Sequence, residues 1–411
     1  MRKELLKKLL KKLLAGSMAI VLVLTAAGCT SQVSKNTDNK DANEEASDCC
    51  EGKEKDDCCE DASESLCCKE DKSTGEIENT GTADTDNINS EFAALASLSK
   101  EELEKKFADE EGAKRAIHIS YDGSLCPAPI PIAQLKGFFE AEGLNTEIVM
   151  VENQRDALAS GKIDTALGML TDWLPSIQNG VDLRFPLALH TGCTSAAVLK
   201  DSNITKFEKG QKVGVVGPIG GVFHNIALRF IVHDGFKADD FQWVSLDAGT
   251  ILKALQEGQV DVIVAPDQMT LQWEDDGLVK LIRSQTFDDD FKDEACCAVG
   301  FPGEFVEENP VTVLKVTRAI YNAALWIQES EANRKEAAQL LNDAGYVSGD
   351  PDFNARVLGN LRYGLDNKDL ETSLSHIVDE FVELEILNKD TDKEAFKKQI
   401  LIKYDLDLLK E

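Results

Sequence analysis

One phrase, written twice, constrains the fold of this chain more than any other feature. ALASGKIDTALG at 157–168 is matched by ALQEGQVDVIVA at 254–265. Each reads as a helix end, a glycine that stops it, then an apolar–Asp pair opening a buried strand. The same rhythm surrounds both copies. AIHISY at 116–121 alternates like a strand, and a helix through Ile132, Leu135, Phe138 and Phe139 closes at Gly143. Strands follow at 147–151, 163–170 and 183–190, with a helix at 155–160. The pattern restarts at Lys212, with strands at 213–217, 241–246 and 260–265 separated by helices, and beyond Pro310 the chain reads as helical. Strands alternating with helices predict mostly parallel sheets covered on both faces. Two such α/β units predict two Rossmann-like lobes with a cleft between their strand carboxyl ends. Ligands gather there because helix N-termini offer unpaired N–H groups.

The N-terminal part has a different character. Residues 2–12 are basic, and 13–28 are apolar and end in small residues, the layout of a secretory signal. That run is short for a spanning helix, which needs about 20 apolar residues. The ending Thr25-Ala26-Ala27-Gly28-Cys29 resembles a lipobox, implying a lipoprotein signal peptide at 1–28 and lipid attachment at Cys29. A plain N-terminal membrane helix is the other reading, and both hold the remainder outside the cytoplasm, where disulfides form. From Thr30 to Ser90 large apolar residues are almost missing, so an acidic disordered spacer is expected within 29–112. It carries the pairs Cys49-Cys50, Cys58-Cys59 and Cys67-Cys68 without any histidine. These thiols are merely tolerated or oxidised in one reading, capture a soft metal in another, and cross-link chains in a third. Ser99 and Glu102 have capping-box spacing ahead of a helix through Leu103 and Phe107. With 44 Lys+Arg against 74 Asp+Glu the net charge is −30. That excludes nucleic acid as a partner and a broad electrostatic hold on an anionic membrane.

PIAQLKGFFEAEGLNTEIV, ALASGKIDTALG, the Gly-rich turn before LRFIVHDGF and the tail VTVLKVTRAIYNAALWIQES together resemble one family over residues 114–400. It comprises the extracytoplasmic solute-binding proteins of nitrate, sulfonate, taurine and thiamin-pyrimidine ABC importers. The resemblance implies a bilobed type II periplasmic-binding-protein fold with a hinge and a helical C-terminal tail. Lobe 1 would start at 113–197, lobe 2 would occupy 198–292, and 293–411 would supply a lobe 1 return strand and the helical part. It further implies a monomer without cofactor at the extracytoplasmic face of the bacterial cell membrane. Such a protein clamps a sulfonate- or taurine-like, nitrate-like or pyrimidine-like solute and delivers it to an ABC permease and ATPase complex. The alternatives are a soft-metal-scavenging lipoprotein and, more remotely, an enzyme like the eukaryotic thiamin-pyrimidine synthases. No Ser–His–Asp, His-Glu-x-x-His or paired acid–base constellation is legible, so no catalytic residue is assigned.

Strand ends place the candidate ligand residues. After the first strand comes Cys126, whose segment is either a helix entry turn or a backbone contact to the ligand. Thr171, Asp172 and Trp173 follow the third strand, Asp172 as helix cap or ligand contact and Trp173 as core or stacking wall. His190, Thr191 and Gly192 end the fourth strand. In the second unit Gly220 and Gly221 allow close backbone approach before His224, and Asp267 and Gln268 follow the last strand. His224 and Arg229 match an H-x-x-x-x-R pattern of nitrate and bicarbonate receptors, with the paired glycines displaced by one residue. The resemblance also implies that CTSAAVLK and ACCAVGF cross near the hinge. Cys193 could then bond to Cys296 or Cys297, remain a buried thiol, or join Cys126 and His190 around a ligand or soft metal.

Overall fold

The structure, a computed structural model, describes residues 85–404. The signal peptide, Cys29 and the cysteine pairs at 49–50, 58–59 and 67–68 lie outside the described residues. Among the described residues no helix is long and apolar enough to cross a membrane.

Folding begins earlier than the spacer reading expects. The helix expected after Ser99 is α2 (Lys100–Asp109), and a further helix, α1 (Thr85–Leu95), stands ahead of it inside the stretch read as spacer. Ile88, Phe92 and Leu95 recur at helical spacing and are buried in the main core, so α1 is anchored by apolar contact that composition alone understates. The capping box is present: Ser99 Oγ accepts the Glu102 amide at 3.3 Å, and the Ser99 amide donates to Glu102 Oε2 at 2.8 Å.

Lobe 1 contains β1 (Ile117–Tyr121), α3 (Pro129–Leu135), α4 (Phe138–Ala141), β2 (Thr146–Met150), α5 (Gln154–Ala159), β3 (Ala166–Met169), α6 (Leu170–Gln178) and β4 (Leu183–Thr191). The single helix expected through Phe139 is broken at Gly137, which adopts φ 78°. The chain crosses on β5 (Thr194–Leu199) into β6 (Lys212–Val216), α7 (Val222–His233), β7 (Gln242–Leu246), α8 (Ile251–Gln256), β8 (Val262–Pro266), α9 (Asp267–Asp275) and β9 (Val279–Ser284). It returns on β10 (Ala295–Pro302) and ends in α10 (Gly303–Glu308), α11 (Pro310–Glu329), α12 (Glu331–Asp343), α13 (Pro351–Asn360), α14 (Asn367–Glu383) and α15 (Lys393–Ile400).

The sheets are mixed rather than mostly parallel. β6 pairs in parallel with β7 and β8, and β1 with β2, but β5 runs antiparallel to β8 and β9, and β10 antiparallel to β3 and β4. The two crossover strands each enter the sheet of the opposite lobe, and they enter reversed. The strand order is β7-β6-β8-β5-β9 in lobe 2, and β1-β2 with β3-β10-β4 in lobe 1. The lobe 1 pieces are joined where the Ser120 amide donates to Thr165 Oγ1 at 3.1 Å, giving the same order as lobe 2. The repeated phrase explains the equivalence. Asp164 Oδ2 accepts the His118 amide at 2.7 Å, and Asp261 Oδ2 accepts the Lys212 amide at 2.8 Å. Each aspartate's own amide donates back, to His118 O and Lys212 O, both at 2.8 Å. A carboxylate one residue after the apolar opener thus stitches the third strand to the first in both lobes.

Because β5 pairs only within the lobe 2 sheet, the change of lobe falls at Gly192-Cys193, ahead of the boundary drawn at 197.

Candidate functional site

The ends of β1 and β3 and the first turn of α7 enclose a cavity of about 230 Å³ between the lobes. Lobe 1 supplies Asp122, Ser124, Cys126, Gln154, Met169 and Asp172, and lobe 2 supplies Val222 and Phe223. Cys297 of β10 reaches the same space. No Lys, Arg or His lines it. Asp172 sits in the first turn of α6 and pairs with Arg155 Nη2 at 2.9 Å, so its charge is partly answered before any ligand arrives. Gln154 is oriented by the protein, its Oε1 accepting the Leu167 amide at 2.7 Å. Gln154, Met169 and Phe223 were not singled out from sequence. Strand and helix starts mark their segments, but nothing in their types distinguishes them from surface or core.

Of the residues placed by strand ends, Cys126 and Asp172 line this cavity and the others do not. Trp173 is core: it is buried, its Nε1 donates to Leu167 O at 3.1 Å, and the Arg155 guanidinium lies 5.1 Å from its ring centre. Thr171 is also buried, and its carbonyl accepts Asn225 Nδ2 of lobe 2 at 3.2 Å. Gly220 is exposed at φ 82°, and its amide donates to His224 Nδ1 at 3.3 Å. Gly221 opens α7 without lining the cavity. His224 packs edge-on against Trp243 at 4.6 Å, and burial holds it below the usual histidine range. The Gly-rich turn therefore binds its own helix. Arg229 is equally withdrawn from the cleft, its guanidinium held by Glu294 and Glu380. Gln268 stays half-buried on α9.

The remaining candidates form the hinge. Gly192 has φ 72°, and a Cβ there would meet Thr286 Cα at 2.8 Å. Thr191 is buried and its amide donates to Arg362 O at 3.1 Å. The Cys193 amide donates to Thr286 Oγ1 at 2.9 Å, and Cys193 O accepts the Asp267 amide at 2.8 Å. Asp267 is buried here as a fastener, with Oδ1 accepting Ser195 Oγ at 2.5 Å and Oδ2 accepting the Thr286 hydroxyl.

Burial pushes the Asp267 carboxyl up to about 6, against the two hydroxyl donors that lower it. A raised carboxyl contributes stability that is complete below its ordinary value of 3.8 and is lost as pH rises to about 6. The loss is on the order of 3 kcal/mol. Asp267→Asn is expected to flatten the fall in unfolding free energy between those two pH values, measured by denaturant titration. An equal slope in both proteins would assign the titration to another group.

Below the cavity the thiols gather. Cys193 Sγ stands 3.3 Å from Cys296 Sγ, and Cys126, Cys193, Cys296 and Cys297 are all free. The expected neighbourhood of Cys193 with the ACCAVGF strand is therefore present, without a bond. Thiol-to-thiol hydrogen bonding, with Cys193 first, pulls Cys296 down, while contact with Cys126 first holds Cys297 up. His190 is wholly buried beside them, 5.8 Å from the Tyr363 ring. The Tyr363 hydroxyl, not foreseen from sequence, donates to Leu125 O at 3.2 Å and ties the Cys126 turn to the tail.

Among known proteins, a family model described as the NMT1-like family matches residues 110–342, more than half of the chain. The 4-amino-5-hydroxymethyl-2-methylpyrimidine phosphate synthases of Saccharomyces cerevisiae are 28% identical over 220 residues, covering 48% of this chain and 62% of theirs. The chain thus spans less than two thirds of the length of these curated relatives. The periplasmic nitrate-binding protein NrtA from Synechocystis PCC 6803 superposes with TM-score 0.58 at 18% identity, over 71% of this chain and 86% of that one. The alkanesulfonate-binding protein SsuA from Xanthomonas axonopodis pv. citri, bound to MOPS, gives TM-score 0.55 at 18% identity, over 68% and 97%. These structures share the bilobed periplasmic-binding-protein fold described above. On the match over 110–342, the chain belongs to the NMT1-like family.

Proposed function

We propose that this protein is the solute receptor of an ABC importer, held by a lipid on Cys29 at the extracytoplasmic face of the cell membrane. As a monomer it would capture a small solute between its lobes and present it to the permease and ATPase complex. The supporting observation is the cavity of about 230 Å³ lined from both lobes, because a solute touching both can favour the closed state over the open one. The lining speaks to the solute. Two carboxylates, Gln154, the apolar Met169 and Phe223, and no basic side chain favour a neutral or cationic solute with hydrogen-bond donors. An aminopyrimidine meets that description, and bare nitrate or an uncompensated sulfonate does not.

The relatives' synthase activity is the competing reading, and the cavity lining offers neither a lysine nor a histidine for acid–base work. Thermal unfolding with an aminopyrimidine, taurine and nitrate tests the assignment. A solute at a hundredfold over its Kd stabilises by about 2.7 kcal/mol. The aminopyrimidine is expected to raise Tm by roughly 5 °C and nitrate to leave it unchanged. A flat response to all three compounds would overturn the receptor reading, as would conversion of the bound pyrimidine to a new product.

A further inference from the structure

Beneath the cleft, side chains from separate segments converge on one point. The thiols of Cys126 and Cys193 and a ring nitrogen of His190 lie within 4.8 Å of one another, as do the thiols of Cys193, Cys296 and Cys297. Cys193 belongs to both groups. Cys126 arrives from the turn after β1, His190 from the end of β4, Cys193 from the hinge, and Cys296 and Cys297 from β10. Chain proximity explains Cys296 with Cys297 and helps bring His190 to Cys193, but not the arrival of Cys126 or the meeting of these groups with β10. For a tetrahedral ion with metal–sulfur bonds of about 2.3 Å and metal–nitrogen bonds of about 2.0–2.1 Å, donor atoms stand roughly 3.5–3.8 Å apart. A small contraction of the cluster would reach that spacing.

One observation points directly to a missing partner. His190 is wholly buried, its Nδ1 lies 3.1 Å from Thr191 O, and its Nε2 has no hydrogen-bond partner among the described residues. A histidine with one ring nitrogen on a backbone carbonyl and the other bare is set up as a metal ligand usually is. Left bare and buried, that nitrogen costs free energy. Cys193 in turn holds φ 110°, a backbone conformation that side-chain-bearing residues rarely adopt. Such strain collects at sites that must present a group in one direction.

We propose that Cys126, Cys193, His190 and one of the adjacent β10 thiols bind a single thiophilic d10 cation, zinc(II) or copper(I), beneath the cleft. Sulfur and imidazole donors without carboxylate select such ions over magnesium or calcium. Binding displaces the protons of the ligating thiols to solvent, and no electron is transferred. Because Cys126 and Cys297 also line the cleft, the ion would form part of its floor. The site is distinct from the paired cysteines of the N-terminal region and does not depend on which solute the cleft holds.

The test uses the full chain with Cys49, Cys50, Cys58, Cys59, Cys67 and Cys68 replaced by serine, purified under reductant. It is offered zinc(II), copper(I) and, as a spectroscopic probe, cobalt(II). One equivalent of zinc or copper should be retained in native mass spectra, and the ion retained identifies which of the two binds. Cobalt should give thiolate charge-transfer bands and tetrahedral d–d bands. Adding Cys193→Ser or Cys126→Ser should weaken retention at least tenfold. Far-UV circular dichroism monitors folding, and Cys126→Ser, at a half-buried turn position, decides if Cys193→Ser does not fold. Failure of the six-serine chain to retain either ion would overturn the site, as would retention unchanged in both variants. Neither failure touches the solute response, which is measured without metal.

Discussion

Arg229→Met is expected to lower the unfolding free energy by about 3–5 kcal/mol, the usual loss when one partner of a buried ion pair is removed. Arg229 on α7 is almost fully buried, with Nη1 2.5 Å from Glu294 Oε1, Nη2 2.9 Å from Glu294 Oε2, and Nε donating to Glu380. Glu294 precedes β10 and Glu380 lies on α14, so this one side chain fastens lobe 2 to the return strand and the tail. Burial alone would push Glu380 up, but the His233 hydrogen bond and the Arg229 charge outweigh it and bring the carboxyl down to about 2. Without the arginine Glu294 stays half-buried with its close cation gone, and Glu380 keeps His233 alone. Tm should fall by roughly 5–8 °C. The double variant Arg229→Met/Glu294→Met should recover part of the loss, since it leaves fewer unpaired charges than the single one. A single variant within about 1 kcal/mol of the parent would mean that solvent reaches this network freely.

Gly192→Ala should be nearly as damaging, by about 3 kcal/mol or more, through strain and collision together. The added Cβ would enter the left-handed region and meet Thr286 Cα at 2.8 Å. Thr286 cannot retreat without loosening the Cys193 amide and Asp267, which it joins. Gly258→Ala provides the control: it shares the left-handed conformation at φ 69°, but nothing stands within 4 Å of the added atom. That variant should cost only about 1–2 kcal/mol. Equal losses at the two positions, in guanidinium titrations, would remove the steric part of the argument.

What the sequence revealed of the fold follows from the physics it encodes. The phrase around Asp164 and Asp261 was legible because an apolar–Asp pair after a helix-ending glycine has one structural use, and both copies perform it. Strand direction was not legible. CTSAAVLK and ACCAVGF are built around small and apolar residues, which fill a buried strand equally well in either direction. Only the pairings of β5 and β10 reveal that they run reversed. At the site, strand ends located Cys126 and Asp172 because topology dictates where a cleft opens. Trp173 and His224 failed the same test. One turn of helix rotates a neighbouring side chain into the core, and no sequence period resolves that for a short helix. Arg229 matched a receptor pattern by spacing, yet its partners lie far along the chain at Glu294 and Glu380.

The position of β10 has a consequence for how the molecule is made. Gly300 pairs with Ala166, and Val299 with Leu187, so the lobe 1 strand that sits between β3 and β4 is supplied only after all of lobe 2 has been synthesised. Contacts that distant in the chain slow the search for the native state. Until β10 arrives, β3 and β4 each present an unpaired edge, the kind of edge that recruits other chains. A ribosome that stalls between lobe 2 and residue 295 would release a product with one finished lobe and one adhesive one. Quality-control proteases would be the natural fate of that fragment.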